Sequence, residues 1–169
     1  MPISLTDIRI ESRLSERHVS KSLYEARASK IRTAFLCHSH KDKSLVQGVS
    51  NLLIKAGWRV YVDWQDGSMP SKPNRVTADK LKKRIREMDY FLFLATSNSV
   101  NSSWCPWEIG YADPLKYPDR LLIIPTREDA TEHGSEYLQL YRRIDLRSDG
   151  TLAAIDPGLS FGIALRDLI

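Results

Sequence analysis

The stretch that decides the fold runs from Asn101 to Ala112 and reads NSSWCPWEIGYA. It follows the run Tyr90–Ala95 (YFLFLA), which is short, apolar and rich in aromatic residues, as is typical of a buried strand in a parallel sheet. Residues 96–103 are polar, and a serine among them can cap a helix whose first turn holds Pro106, where a missing N–H costs little. A strand, a polar loop and a capped helix form the unit that places ligands at the carboxyl ends of strands in open α/β sheets.

This stretch carries one acid, Glu108, four residues after Trp104, so the two side chains share one face of the predicted helix. A lone glutamate on a helix is normally a solvated residue. Two tryptophans as close as Trp104 and Trp107 more often belong to a core or an interface than to a ligand site. The position after a buried strand is what makes this carboxylate a candidate functional group.

The composition of the chain describes an ordinary globular protein: 169 residues, 42% apolar and 27% charged, are consistent with one domain. The formal charge of +4 is compatible with a phosphate-bearing ligand, but no dense Lys/Arg tract indicates nucleic-acid binding. Cys37 and Cys105 form neither a disulfide scaffold nor a zinc motif, which favours a reducing cytoplasm. No secretory signal is visible, and no apolar run approaches the roughly 20 residues that cross a bilayer. We therefore expect a cytoplasmic protein without nucleic-acid or membrane partners.

Strands and helices alternate through the rest of the chain. The first strand is predicted at Ile31–Cys37, and the apolar positions that follow it at helical spacing end at Gly57. The second strand is predicted at Trp58–Asp63, a fourth at Arg120–Pro125, closed by the proline, and a short fifth within Tyr137–Leu146. This alternation predicts a flavodoxin-like α/β fold with a parallel sheet of about five strands and helices on both faces.

Further expectations concern one loop, one helix cap and the two ends of the chain. The loop Trp64–Asn74 is too long for a minimal connection, which favours a functional role, and Thr77 is expected to cap the next helix. Residues 152–169 suggest a terminal helix interrupted after Ile155. Residues 1–30 are predicted as an N-terminal helical extension, with a helix from about Leu5 to Ser29, and residues 31–169 as the α/β domain. The sequence leaves open whether the extension packs on the domain or mediates self-association.

Four segments carry a resemblance to a known family: Thr33–Asp42 (TAFLCHSHKD), Gly57–Asp63 (GWRVYVD), Tyr90–Ala95 and Ser103–Glu108 (SWCPWE). Each of them alone is a weak signal. Together, and in this order, they resemble the opening motif, the second strand, the third strand and the Trp-x-x-x-Glu helix of Toll/interleukin-1 receptor (TIR) domains. The resemblance covers about residues 31–169 and implies the TIR variant of the flavodoxin-like fold.

The resemblance also implies a reaction, because many TIR domains cleave NAD⁺ between nicotinamide and ribose. The position that matches the family's essential glutamate is Glu108, and Trp104 matches its companion aromatic residue. The chemistry agrees: cleavage builds oxocarbenium-like charge on the ribose, which a fixed carboxylate can stabilise. Nicotinamide leaves as a neutral molecule, so one carboxylate suffices where ordinary glycosidases use two. NAD⁺ is then the substrate, and no separate cofactor is implied.

Further substrate contacts are implied at two turns. The resemblance places His38, Ser39 and His40 beside the nucleotide pocket, and Asp63 and Trp64 at a loop that gates it. The alternatives are an ordinary polar turn and a strand-end aspartate bonded to its own turn. Two histidines two residues apart make no convincing metal site, because the sequence shows no third ligand at suitable spacing, so we expect no metal.

The leading hypothesis is an NAD⁺ nucleosidase that yields nicotinamide and ADP-ribose, or a cyclic or modified ADP-ribose that signals to a downstream effector. TIR components of antiphage (Thoeris-like) defence act in this way, and TIR–TIR self-association is expected with them. One alternative is a non-enzymatic TIR scaffold, which has no chemical reason to retain Glu108; another is a nucleoside or nucleotide ribosyl-transferring enzyme. A phosphoacceptor receiver domain is disfavoured, because the first strand ends in Cys37-His38-Ser39 where that family needs paired acids.

Overall fold

The computed structural model describes residues 1–14, 31–68, 74–116, 118–134 and 136–168. The strands are β1 (Ile3–Ser4), β2 (Thr33–Cys37), β3 (Arg59–Tyr61), β4 (Tyr90–Ala95), β5 (Leu121–Glu128), β6 (Thr131–His133), β7 (Arg142–Leu146), β8 (Leu152–Ile155) and β9 (Ile163–Ala164). The α-helices are α1 (Leu5–Leu14), α2 (Lys43–Lys55), α3 (Arg75–Glu87), α4 (Ser97–Val100) and α5 (Cys105–Lys116). Short 3₁₀ turns lie at His40–Asp42, Asp63–Gln65, Glu136–Leu140 and Leu165–Asp167.

The predicted parallel sheet is confirmed. Strands β3, β2, β4, β5 and β7 lie side by side in that order, and each neighbouring pair is parallel. Phe35 on β2 pairs with Tyr61 on β3 and with Phe91 on β4, and its ring stacks on both at centroid distances of 5.6 Å. These cross-strand aromatic pairs fix the register at the centre of the sheet. Strands β8 and β9 extend it antiparallel.

The sheet separates two hydrophobic cores, so the helices lie on both faces as predicted. Along β4, Phe91 and Phe93 point into one core, while Leu92 and Leu94 point into the other. The first core is shared with helices α3 and α5, and the second with α1 and α2. All six residues of β4 are buried, which explains why its sequence is continuously apolar instead of alternating. Among the described residues, no helix combines the length and apolarity needed to cross a membrane.

The first residues of the chain pack into the domain. Ile3 pairs with Thr126 on β5, and Ile8 of α1 is fully buried against the core that α2 shares. At Gly48 on α2, a Cβ atom would lie 2.0 Å from the carbonyl oxygen of Ile8, so only glycine allows this close helix approach. For residues 1–14 the structure thus shows packing on the domain; the rest of the predicted helix, to Ser29, lies outside the described residues.

The predicted terminal helix is wrong. Leu152–Ile155 forms β8, which returns antiparallel to β7 across the Asp149-Gly150 turn, where Gly150 has φ +78°. All four residues of β8 are buried, and a short apolar run with both faces covered is stable as a strand. Within the described residues 152–168, the remaining elements are β9 and one 3₁₀ turn.

Strand β5 does not end at Pro125 as predicted. The proline pairs with Ala95 at the last position that β5 shares with β4, and the strand continues to Glu128. Beyond it, Thr126 pairs with β1 and β6, and its hydroxyl donates to the Ala95 carbonyl at 2.6 Å. Pro125 is tolerated because it sits where the strand exchanges one set of partners for another.

Two helix starts also differ from the prediction. The cap of α3 is Asn74 and not Thr77, which occupies the third helical position and completes a reciprocal capping box with Asn74. The polar loop after β4 contains the short helix α4, whose capping box joins Thr96 and Ser99. The end of α2 is as predicted: Gly57 follows it with φ +85°.

Candidate active site

Glu108 lies in the first turn of α5 because the polar segment before the helix is capped as expected. The Ser102 hydroxyl accepts the backbone N–H groups of Trp104 at 3.1 Å and Cys105 at 3.4 Å, and Pro106 follows in the first turn. Trp104 stands one residue before the helix, and its carbonyl accepts the N–H of Glu108 at 2.8 Å. The two side chains are therefore one helical turn apart, as the spacing predicts.

The Glu108 carboxyl is buried without a counter-ion. The residue is 6% exposed, and no ion pair formed within the described part of the chain includes it. Burial raises the pKa of Glu108 well above its ordinary range, and the charge of Cys105 adds to that shift. The helix N-terminus and the Cys37 thiol, which is within hydrogen-bonding reach, favour the anion. A perturbed carboxyl of this kind is typical of functional sites.

Both cysteines border this carboxyl. Cys37 ends β2, Cys105 begins α5, and the Cys37 thiol points at the Cys105 carbonyl oxygen over 3.9 Å. Burial raises the pKa of Cys37, so this residue is a neutral thiol and adds no negative charge beside Glu108. The carboxyl thus lies in a small, weakly polar enclosure between β2 and α5.

The turn after β2 holds three predicted substrate-binding residues, and they differ in exposure. His38 is buried, and its Nδ1 donates to the Leu36 carbonyl at 2.8 Å. Ser39 is also buried, and its hydroxyl caps the following 3₁₀ turn by accepting the Lys41 N–H at 3.4 Å. His40 is the member of this trio that faces solvent, with 67% of its side chain exposed.

Asp63 meets both histidines at the neighbouring strand end. One carboxylate oxygen lies 2.8 Å from His40 Nε2, and the other lies 3.4 Å from His38 Nε2 and accepts the Trp64 N–H. Burial pushes the pKa of Asp63 upward, but the hydrogen bond to His40 and the charge of that imidazole outweigh it and hold the pKa below its usual range. Burial lowers the pKa of His38, while the bond to Asp63 raises that of His40. The sequence shows no third potential ligand beside the two histidines, but the fold brings Asp63 next to both of them.

The two predicted aromatic contacts occupy different environments. Trp64 is 36% exposed, with the Lys43 ammonium 5.8 Å from its ring centroid. Trp104 is half-buried, packs on the core that contains Phe91 and Phe93, and meets Trp107 edge-on at a centroid distance of 5.5 Å. Trp64 is therefore open to a ligand, whereas Trp104 has a packing role one helical turn from Glu108.

The structure adds two residues that sequence reasoning missed. Asp42 is buried and accepts the Thr96 hydroxyl and the Asn98 amide, each at 2.6 Å, which ties the turn after β2 to the turn after β4. Tyr137 is 40% exposed and lies within electrostatic range of Cys37 and Cys105, and burial raises its pKa. Only an acid in the turn after the first strand signalled Asp42 in the sequence, and nothing signalled Tyr137.

A cavity of about 580 Å³ lies elsewhere, at β5 and β7. Ile123, Pro125, Tyr141, Arg143 and Asp145 contribute to its wall, and none of the predicted site residues does. Its size would suit a small ligand. The carboxyl-end cluster around Glu108 and Asp63 is thus a separate region with its own chemistry.

Comparison with known proteins agrees with this geometry. A family model described as TIR domain matches residues 34–156. A Bacillus cereus (strain MSX-D12) protein, "Probable 3' cyclic ADP-D-ribose synthase ThsB'", is 33% identical over 146 residues, which are 82% of this chain and 76% of that protein. A Cytobacillus dafuensis protein, "Putative cyclic ADP-D-ribose synthase TIR2", is 33% identical over 89 residues, which are 51% of this chain and 24% of that protein.

Proposed function

We propose that this chain, which belongs to the TIR domain family, is an enzyme that cleaves the nicotinamide–ribose bond of NAD⁺. The observation that carries the proposal is Glu108, a buried carboxyl that forms no ion pair with any described residue and lies at the carboxyl-end edge of a parallel sheet. The names of the two relatives support it, because both refer to the synthesis of cyclic ADP-D-ribose.

The chemistry of the step fits a single carboxylate. The bond between ribose C1′ and the pyridinium nitrogen breaks, the electron pair leaves with nicotinamide, and positive charge develops on the ribose. An anionic Glu108 stabilises that charge, and its buried position strengthens the attraction relative to water. Nicotinamide departs neutral, so no general acid is required.

The product depends on which oxygen reaches C1′. Water gives ADP-ribose, and a hydroxyl of the same molecule gives a cyclic ADP-ribose. We favour the cyclic product, because both relatives are named for it. We propose that Trp104 limits the approach of water, because it is half-buried and lies one helical turn from Glu108.

The remaining contacts follow the exposure of the side chains. His40 and Trp64 face solvent at the same edge and are proposed to contact the nucleotide directly. His38, Ser39 and Asp63 are proposed to shape that contact, because they are largely enclosed and hold the turn. We further propose that the product signals to a downstream effector in antiphage defence and that the chain acts through TIR–TIR self-association.

The test is nicotinamide release from NAD⁺ by wild type and Glu108→Gln. We expect the variant to lose on the order of 10²–10³-fold or more in rate, the scale for removing one transition-state partner. Glu87→Gln is the matched control, because this glutamate lies at the surface of another helix, paired with Arg84, and should retain full activity. Mass spectrometry of the wild-type product distinguishes cyclic from linear ADP-ribose.

Equal nicotinamide release by Glu108→Gln and wild type would remove the carboxylate from the reaction. If wild type assembles into dimers or filaments but leaves NAD⁺ intact, and Glu108→Gln assembles equally well, the non-enzymatic scaffold replaces the enzyme. Turnover of free deoxynucleosides in preference to NAD⁺ would instead favour a ribosyl-transferring enzyme.

A further inference from the structure

We propose that His38, His40 and Asp63 form a binding site for one divalent transition-metal ion, with Zn²⁺ as the ion that fits best. Each residue offers one ligand atom, and these atoms all lie within 4.8 Å of one another. The site is a property of the turn after β2 and the end of β3, and it does not depend on whether the chain cleaves NAD⁺.

The fold brings the three ligands together from distant positions. His38 and His40 follow β2, and Asp63 follows β3, which is the parallel neighbour of β2. Parallel strands end at the same edge of a sheet, so residues just beyond them converge. The 3₁₀ turns at 40–42 and 63–65 then fold His40 and Asp63 inward until His40 Nε2 and an Asp63 oxygen are 2.8 Å apart.

His38 supplies an independent observation that points to a ligand. Its side chain is 2% exposed, and its Nε2 is a buried atom with no hydrogen-bond partner in the part of the chain that the structure describes. A carbonyl oxygen can only accept, so the contact between Nδ1 and the Leu36 carbonyl places the proton of the neutral ring on Nδ1. Nε2 therefore presents a lone pair toward Asp63, so that two acceptor atoms face each other.

The separation of these acceptors suits a shared metal ion. His38 Nε2 and Asp63 Oδ1 are 3.4 Å apart, which is long for an N–H···O hydrogen bond. Two ligand atoms around a tetrahedral Zn²⁺ lie about 3.3–3.5 Å apart, given Zn–N bonds of about 2.0–2.1 Å and Zn–O bonds of about 2.0–2.2 Å. His38 is thus already close to the spacing that coordination requires.

The outer contacts match those of a metal site. Metal-bound histidines almost always donate the other ring N–H to a carbonyl or carboxylate, and His38 does so to Leu36. The Asp63 carboxylate is held by the Trp64 N–H at 2.8 Å. Two imidazoles and one carboxylate suit Zn²⁺ and disfavour Mg²⁺ or Ca²⁺, which prefer all-oxygen ligands. His40 is exposed, so the fourth position opens to solvent and can take water or an anionic oxygen.

The test is Zn²⁺ binding to the metal-stripped full chain, measured by competition with a chromogenic chelator. We expect one ion per chain. His40→Ala should lower the affinity for Zn²⁺ by about 10–100-fold or more, because losing even a residue that only hydrogen-bonds to a metal ligand lowers metal affinity by that factor. His40 is largely exposed, so this change leaves the fold intact; Asp63→Asn is the second variant and should weaken binding similarly. His133→Ala, on β6, is the matched control and should bind as wild type does.

Co²⁺ in place of Zn²⁺ identifies the ligands. We expect visible d–d bands of a four-coordinate nitrogen and oxygen site that disappear in His40→Ala. An intense thiolate charge-transfer band would assign the ion to Cys37 and Cys105 and overturn the proposal, as would equal affinity in wild type, His40→Ala and Asp63→Asn. Glu108→Gln should bind Zn²⁺ normally, so that loss of NAD⁺ cleavage and loss of the metal site are scored separately.

Discussion

Two buried carboxylates of this domain are treated in opposite ways. Glu108 is 6% exposed and Asp145 is 3% exposed, so burial alone does not distinguish them. One oxygen of Asp145 meets the Met1 ammonium at 2.8 Å and the Arg143 guanidinium at 3.2 Å. Glu108 takes part in no ion pair of the described residues, and burial raises its pKa.

The difference teaches where the fold tolerates an unfavourable charge. A carboxylate that ties elements together is neutralised, because an unpaired buried charge costs several kcal/mol. Asp145 joins the start of the chain to β7 in this way. Glu108 meets no group of opposite charge among the described residues, so ionising it where it is buried costs stability. The un-neutralised acid is the better candidate for chemistry, although the cavity of about 580 Å³ lies beside the neutralised one.

The largest effect we expect is on the pH dependence of NAD⁺ cleavage. The reaction needs the Glu108 anion, and burial raises the pKa of this group above the usual 4.5. The acid limb of kcat/KM should therefore lie well above 4.5, and below it the rate should fall about tenfold per pH unit. Measuring kcat/KM from about pH 4 to 9 checks this. The limb should persist in His40→Ala, and a limb at or below 4.5 would contradict the assignment.

The next effect is on stability, and its sign differs between the two acids. The native pKa of Glu108 exceeds the unfolded value, so the native state binds the proton more tightly and loses stability as pH rises between the two values. Near pH 8, Glu108→Gln should raise the free energy of unfolding by about 1–2 kcal/mol, and near pH 4 the gain should vanish.

Asp145→Asn provides the opposing arm of that experiment. This change removes the carboxylate that accepts from two charged donors, so the free energy of unfolding at pH 8 should fall by about 1–2 kcal/mol. The expected loss is smaller than for a fully buried ion pair, because Arg143 is one third exposed and solvent screens its charge. Denaturant titrations at the two pH values measure both variants. If both variants lose stability near pH 8, the Glu108 carboxylate stabilises the fold, and the contrast between the two acids is wrong.

The sequence predicted the elements that position Glu108 because their signals are local. An apolar aromatic run, polar caps and Pro106 in a first turn leave few alternatives to a strand, a loop and a helix. Leu152–Ile155 carries no such signal: four small or aliphatic residues show neither helical nor strand periodicity, and pairing with β7 decides the outcome. The end of the fourth predicted strand was wrong for a related reason. Whether a strand can contain Pro125 depends on its pairing with Ala95, which is remote in sequence.

The residues of the candidate site could be predicted from the sequence, but their spatial arrangement could not. The resemblance indicated His38, His40 and Asp63 separately, yet their convergence depends on the pairing of β2 and β3 and on two 3₁₀ turns. The sequence also does not predict that Glu108 forms no ion pair with the described residues. Whether a nearby cation reaches a given acid depends on packing, and several lysines and arginines lie within the neighbouring helix α3.

The smallest effect we expect concerns Trp104, one helical turn from Glu108. Trp104 packs on the core, and Trp107 meets it edge-on but is more exposed and stacks on Tyr111 at 6.1 Å. Trp104→Phe keeps an aromatic ring with less area, so nicotinamide release should fall by only about two- to tenfold, the scale of one aromatic contact. Trp107→Phe is the matched control, and its rate should equal that of wild type.

The ratio of products makes this comparison sharper than the rate alone. If Trp104 limits the approach of water to the ribose, the smaller ring should shift the products from cyclic toward linear ADP-ribose, while Trp107→Phe leaves their ratio unchanged. Mass spectrometry of the products and thermal unfolding of both variants separate this role from packing. Equal rates and equal product ratios in the two variants, with Trp104→Phe the less stable, would make Trp104 a core residue and leave Glu108 without an aromatic partner.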